Sequence, residues 1–116
     1  MTVPQLYDAV LTVLHEKGKD RLDQRPFFLF LNKRIAALLA AYPHTALPKG
    51  VVQPRIDELC DPVLIKDCFF FPLVWGILYD AGAGAEYLAD ADKSAKEADR
   101  TARRQGQRYT GGTSHG

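Results

Sequence analysis

The chain has 116 residues, of which 47% are hydrophobic and 25% charged, and its net charge is +1. That is enough for one domain with a modest core, in an ordinary globular balance. The near-neutral total excludes a polybasic nucleic-acid binder, so any contact with nucleic acid falls to a local patch or to position in a larger assembly.

The N-terminus, MTVPQLYDAV, has no basic start, apolar core or small-residue cleavage site, so no secretory leader is expected. Thr2-Val-Pro-Gln5 fits a capping box, with Thr as N-cap and Gln at N3. Val3, Leu6, Tyr7, Val10, Leu11, Val13 and Leu14 then recur at helical spacing, and Gly18 is a natural stop. The first helix is predicted over about residues 3–16. After a polar connector, Asp23 is placed to cap a second helix with Pro26 in its first turn. Phe28, Leu31, Ile35, Leu38, Leu39 and Tyr42 make its buried stripe, with Asn32, Lys33 and Arg34 off the centre, and Pro43 ends it.

The stretch PHTALPKGVVQP carries three prolines and a glycine, which predicts an irregular loop over 43–54. Within it Val51-Val52-Gln53 is β-prone but too short to form a sheet alone. Arg55–Leu59 reads as a single helical turn. Asp61-Pro62 reads as a helix start, predicting a third helix from about Pro62 to Tyr79 that closes at Asp80-Ala-Gly82. Pro72 would lie inside that helix and kink it. The fourth helix is predicted from Glu86 to about Gln105. Leu88, Ala91, Ala95, Ala98 and Ala102 form a narrow seam along it, suited to a solvated outer helix or to close approach by a neighbouring subunit. Its acids gather at the start and its arginines at the end, as the helix dipole favours. Gly106–Gly116 is rich in Gly and Ser and is expected to order only against a partner. The expected fold is all-α: a bundle of about four helices in 1–105 and an extended C-terminal tail in 106–116.

The third helix contains CFFFPLVWGILY, Cys68–Tyr79, twelve residues without a charge. A membrane-spanning helix needs roughly 20 apolar residues, and Lys66, Asp67 and Asp80 flank this one. No membrane association is expected. A helix apolar nearly all round must be covered on most sides. Helices one and two can cover one side, and helix four or an adjacent subunit the other. Trp75 is expected in the core. Phe69 and Phe70, with Ala91, Ala95 and Ala98, are candidates for a subunit interface.

Chemistry-bearing motifs are weak. Cys60 and Cys68 are too few for a disulfide framework and read as reduced, structural thiols. His15, His44 and His115 show no ligand spacing with them, so no metal is expected. Gly82-Ala-Gly84 lacks the third glycine and preceding strand of a dinucleotide fingerprint, and LPKGVV has Lys and Gly in the wrong order for a phosphate loop. Cys68 adjoins Asp67 and three phenylalanines, a poor setting for a reactive thiolate. Asp90 and Asp92, two apart on a helix, face different ways and make no catalytic dyad. From residue 100 onward there are four arginines and no acid, which fits dipole compensation, an acidic partner or nucleic-acid phosphates. No enzymatic activity and no cofactor are expected.

The order of elements has a counterpart. FFLFLNKRIAALLAAYP leads through HTALPKGVVQP to DPVLIKDCFFFPLVWGILY, then to an alanine-rich charged helix and a tail. Over about residues 20–116 this resembles the small head–tail connector, or adaptor, proteins of tailed bacteriophages. The resemblance implies a structural virion protein, assembled in the host cytoplasm as a ring of about twelve copies beneath the portal vertex. The ring joins the portal protein to tail or neck proteins, and DNA passes through its lumen without sequence-specific contact. Carried onto this chain, it makes Arg108, Tyr109, Thr110, Gly111, Gly112 and Thr113 a portal-docking tail. His44, Leu47, Lys49, Val51 and Val52 become a loop facing a neighbouring subunit or the tail. Arg103 and Arg104 would face an acidic partner or the DNA channel. It assigns no clear role to the first helix. The competing readings are a small helical protein-binding module and a neck or tail-completion protein one layer below the adaptor.

Overall fold

The computed structural model describes residues 1–19, 21–47 and 52–115, with side chains described as far as residue 105. The fold is all-α, with helices α1 (Val3–Glu16), α2 (Gln24–Ala41), α3 (Phe70–Asp80) and α4 (Glu86–His115), and a 3-10 turn, Asp67–Phe69, leading into α3.

α1 forms as its sequence dictates. The Thr2 hydroxyl accepts from the Gln5 N–H, and the Gln5 side chain accepts from the Thr2 N–H, closing the capping box. Val3, Leu6, Val10 and Leu14 form its buried stripe. It ends in a left-handed turn at Gly18 (φ +67°), where the Lys19 N–H reaches back to the Leu14 carbonyl. α3 ends in the same way at Gly82 (φ +79°).

α2 buries Phe27, Leu31, Ile35 and Leu38. The stripe is rotated slightly from expectation, so that Phe27 is fully buried and Phe28 only half. Asp23 stands at the N-cap, but its side chain makes no capping hydrogen bond.

The largest departure from expectation lies between α2 and α3. Residues 62–66 are extended rather than helical, and α3 begins only at Phe70. Ala46 and Ile65 form an antiparallel bridge, with the Leu47 N–H donating to the Leu64 carbonyl and the Lys66 N–H to the Thr45 carbonyl. Val63 and Ile65 are buried while Leu64 between them is half-exposed, an alternation of period two that a helix cannot give. Asp61 therefore caps no helix. Its Oδ2 instead accepts from the backbone N–H groups of Asp57 and Glu58, four and three residues earlier, and makes a turn where one helical turn was expected. Pro72 becomes the third residue of α3. There its missing N–H would have had no intrahelical partner, so it starts the helix instead of kinking it.

α3 is the axis of the molecule. Pro72, Leu73, Val74, Gly76, Ile77 and Leu78 are all buried, and α1, α2 and α4 each pack on it. α4 covers the side that a neighbouring subunit was considered for. Its seam of Ala91, Ala95, Ala98 and Ala102 is buried against the chain's own core, and small side chains let the two helices approach closely. The α4 backbone is helical to His115, beyond the expected end near Gln105.

Candidate interaction surfaces

The link between α2 and α3 is held by two amide side chains. Asn32, on α2, donates from Nδ2 to the Ile56 carbonyl (2.8 Å) and accepts the Ile56 N–H on Oδ1 (2.9 Å). It thus satisfies both polar backbone groups of a fully buried residue, as a neighbouring strand would. Gln53 bridges two residues across the loop, donating to the Pro62 carbonyl (2.8 Å) and accepting from the Leu64 N–H. Buried Thr45 donates its hydroxyl to the Tyr42 carbonyl (2.7 Å) and fixes the exit from α2. Clamped at these points, the link turns apolar side chains outward: Leu47 is 52% exposed and Val52 84%. His44 is exposed beside them. Lys49 and Val51 lie outside the described residues.

The aromatic candidates change places. Phe69 is fully buried and belongs to the core, so it presents nothing to a neighbour. The side chain at the surface is Phe71, 56% exposed, with Phe70 half-buried edge-on against it (ring centroids 5.2 Å apart). Phe71 stacks on Trp75 (5.8 Å), Trp75 stacks on Tyr87 of α4 (5.7 Å), and the Lys17 ammonium lies over the Tyr87 ring (5.2 Å). Trp75 is half-buried within this stack rather than enclosed. The twelve-residue apolar run marked the aromatics, but its strand-to-turn-to-helix path decided which of them emerged.

Ala91, Ala95 and Ala98 are buried within the chain, and the interface suggested for them is occupied by α3. Arg103 and Arg104 are exposed on α4, with the Arg103 guanidinium on Asp99 Oδ2 (2.7 Å). Asp99 is itself buried, and its Oδ1 has no hydrogen-bond partner among the described residues. The side chains of the tail candidates Arg108, Tyr109, Thr110, Gly111, Gly112 and Thr113 lie outside the described residues.

A buried ion pair went unnoticed in the sequence. Arg34 grips Asp80 with two parallel bonds (2.8 and 2.6 Å), and Lys33 adds a third contact (3.2 Å). The Asp80 side chain is only 5% exposed. The arginine crosses α3 at Gly76, where a Cβ would stand 2.6 Å from Arg34 Cδ. A lone Asp at the end of an apolar run had read only as a terminator.

The thiols are poorly suited to nucleophilic work. The Cys60 thiol donates to Glu58, and that bond with the nearby negative charge raises its pKa. Burial raises that of Cys68, whose thiol points at the Ala98 carbonyl. Glu58, Cys60 and Asp61 bring ligand-type atoms within 4.8 Å of one another, but the Asp61 carboxylate and the Cys60 thiol are engaged in holding the turn. Among the described residues, no helix is long and apolar enough to cross a membrane. No family model, curated protein or solved structure matches the chain.

Proposed function

We propose that the chain is a structural protein of a phage virion, a head-to-tail adaptor that forms a ring under the portal, joins it to the tail and lets DNA pass through its lumen. The observation that carries the reading is the clamped link between α2 and α3. Its ends are fixed by Asn32, Gln53 and the Ala46–Ile65 bridge, and it holds Leu47 and Val52 out to solvent. Apolar side chains held out beside such anchored points are a means of engaging another protein surface at low ordering cost. The exposed Phe71 and its aromatic stack supply a second, unlike apolar surface. Two unlike apolar surfaces on one chain suit a connector that must meet two different neighbours, the portal and the tail.

The resemblance of the α2–loop–α3 sequence to phage adaptors names the assembly. Residues 106–116 would dock on the portal, and Arg103 and Arg104 would face its acidic surface or the DNA channel. The test is to mix the purified chain with the portal ring of its own phage and image the product by electron microscopy. A ring of this chain stacked coaxially on the portal is expected, and it should be lost on deleting residues 106–116. A chain that stays monomeric or dimeric and leaves portal rings bare would overturn the reading in favour of a small protein-binding module.

A further inference from the structure

The solvent faces of α1 and α2 are opposite in charge and equal in spacing. α2 contains three cations and no acid, and α1 contains two acids and neither lysine nor arginine. On α2 the outward stripe is Arg25, Leu29 and Lys33, all exposed, with Leu29 at 56%. On α1 it is Asp8, Thr12 and Glu16, also all exposed. Both stripes step by four residues, which sets their outer charges about 12 Å apart at 1.5 Å per residue. The middle positions match as well. The Thr12 hydroxyl donates to the Asp8 carbonyl of its own helix, which turns its polar group inward opposite an exposed leucine.

The other charges near these faces leave the contrast standing. Asp80 takes Lys33, but it already holds the Arg34 fork, and the Lys33 side chain stays 65% exposed. Near the start of α2, Arg55 is paired with Asp57 and Arg21 with Asp23. Arg25, Asp8 and Glu16 make no salt bridge among the described residues.

We infer that the outer face of α1 in one copy of this chain docks on the outer face of α2 in a second copy, with Asp8 and Glu16 meeting Arg25 and Lys33 across a Thr12–Leu29 centre. The contact joins unlike faces, so it repeats head to tail. It deepens the ring reading above by assigning the subunit contact, and it gives α1 a part in assembly.

The test is sedimentation equilibrium on the full chain and two surface variants, D8K/E16K and R25E/K33E, with thermal melts to show that both remain folded. Wild type should self-associate at concentrations up to about 0.5 mM, more weakly as salt rises past the point where exposed pairs are screened. Each variant alone should associate at least about tenfold more weakly. An equimolar mixture should recover association with the two variants alternating, because the reversed α1 face of one then meets the reversed α2 face of the other and their unaltered faces match as well. A wild type that stays monomeric, or association that both reversals leave unchanged, overturns the proposal. So does association lost only on Phe71→Ser, which would assign the contact to the aromatic stack. Portal binding is scored separately. Binding that ignores both reversals sinks this contact and leaves the adaptor reading intact, whereas self-association through these faces without portal binding does the reverse.

Discussion

Asn32 shows how much one side chain carries in an all-α fold. Its amide takes both backbone groups of Ile56, and truncation would leave them buried without partners. Asn32→Ala should therefore destabilise the chain by about 1–3 kcal/mol in urea unfolding. Asn32→Asp should do no better, because a carboxylate cannot donate to the Ile56 carbonyl. Asp99 points the other way. Its Oδ1 is buried without a partner among the described residues, its link to exposed Arg103 is worth little, and alanine suits a helix better. Asp99→Ala should stabilise the chain by about 1 kcal/mol, seen as a raised melting temperature. Cys60 offers a titration. Its thiol pKa lies above the usual value because of the bond to Glu58, so little thiolate is present at neutral pH and alkylation should quicken only as pH climbs toward that value. Glu58→Gln removes the charge, lowers the pKa toward the ordinary thiol and should speed maleimide labelling at pH 7.5. An unchanged rate would show that Glu58 does not control the thiol.

Among the elements, α3 was both the clearest and the least accurately placed. Its apolar run made a covered helix inevitable, and the structure puts that run at the axis. The start was misplaced because Asp61-Pro62 carries every local sign of a helix N-terminus. Those signs lost to tertiary pairing: Val63 and Ile65 fit a half-buried extended segment, and Thr45, Leu47 and Gln53 supply its hydrogen bonds. No single-residue pattern announces partners that arrive from residues 45–53. The same blindness put Phe69 among the interface candidates although it is buried, and passed over the exposed Phe71. Phe69→Ala should cost about 3–5 kcal/mol, whereas Phe71→Ser should stay within about 0.5 kcal/mol in the same urea titration. Gly76→Ala tests the α2–α3 crossing. The new methyl would strike an arginine pinned by Asp80, and about 1–3 kcal/mol should be lost. An unaffected variant would mean that Arg34 is free to move aside. α1 was legible throughout, because capping and periodicity there agree with the tertiary answer, whereas the seam of α4 was visible only as spacing: α3, not solvent or a neighbouring subunit, covers its alanines, and Leu88 is exposed.

At the scale of the molecule, one core is shared by all four helices, so the chain should unfold in a single transition seen alike by circular dichroism and by Trp75 fluorescence. The surfaces that matter for assembly were only partly readable. The loop could be located from its prolines, but its bracing by Asn32 and Gln53 could not. The charge contrast between α1 and α2 is plain in composition, yet it gains meaning only once the burial pattern shows which side of each helix faces out.

The central place of α3 also bears on the order in which the chain can fold during synthesis. α1 meets α2 through the Tyr7 and Phe27 rings, but it packs mainly on α3, whose residues follow more than 50 positions later. A ribosome would release the apolar face of α1 long before its cover exists. Incomplete chains ending before Phe70 should therefore be chaperone clients and prone to aggregate, while the finished chain closes its core around the last-arriving helices.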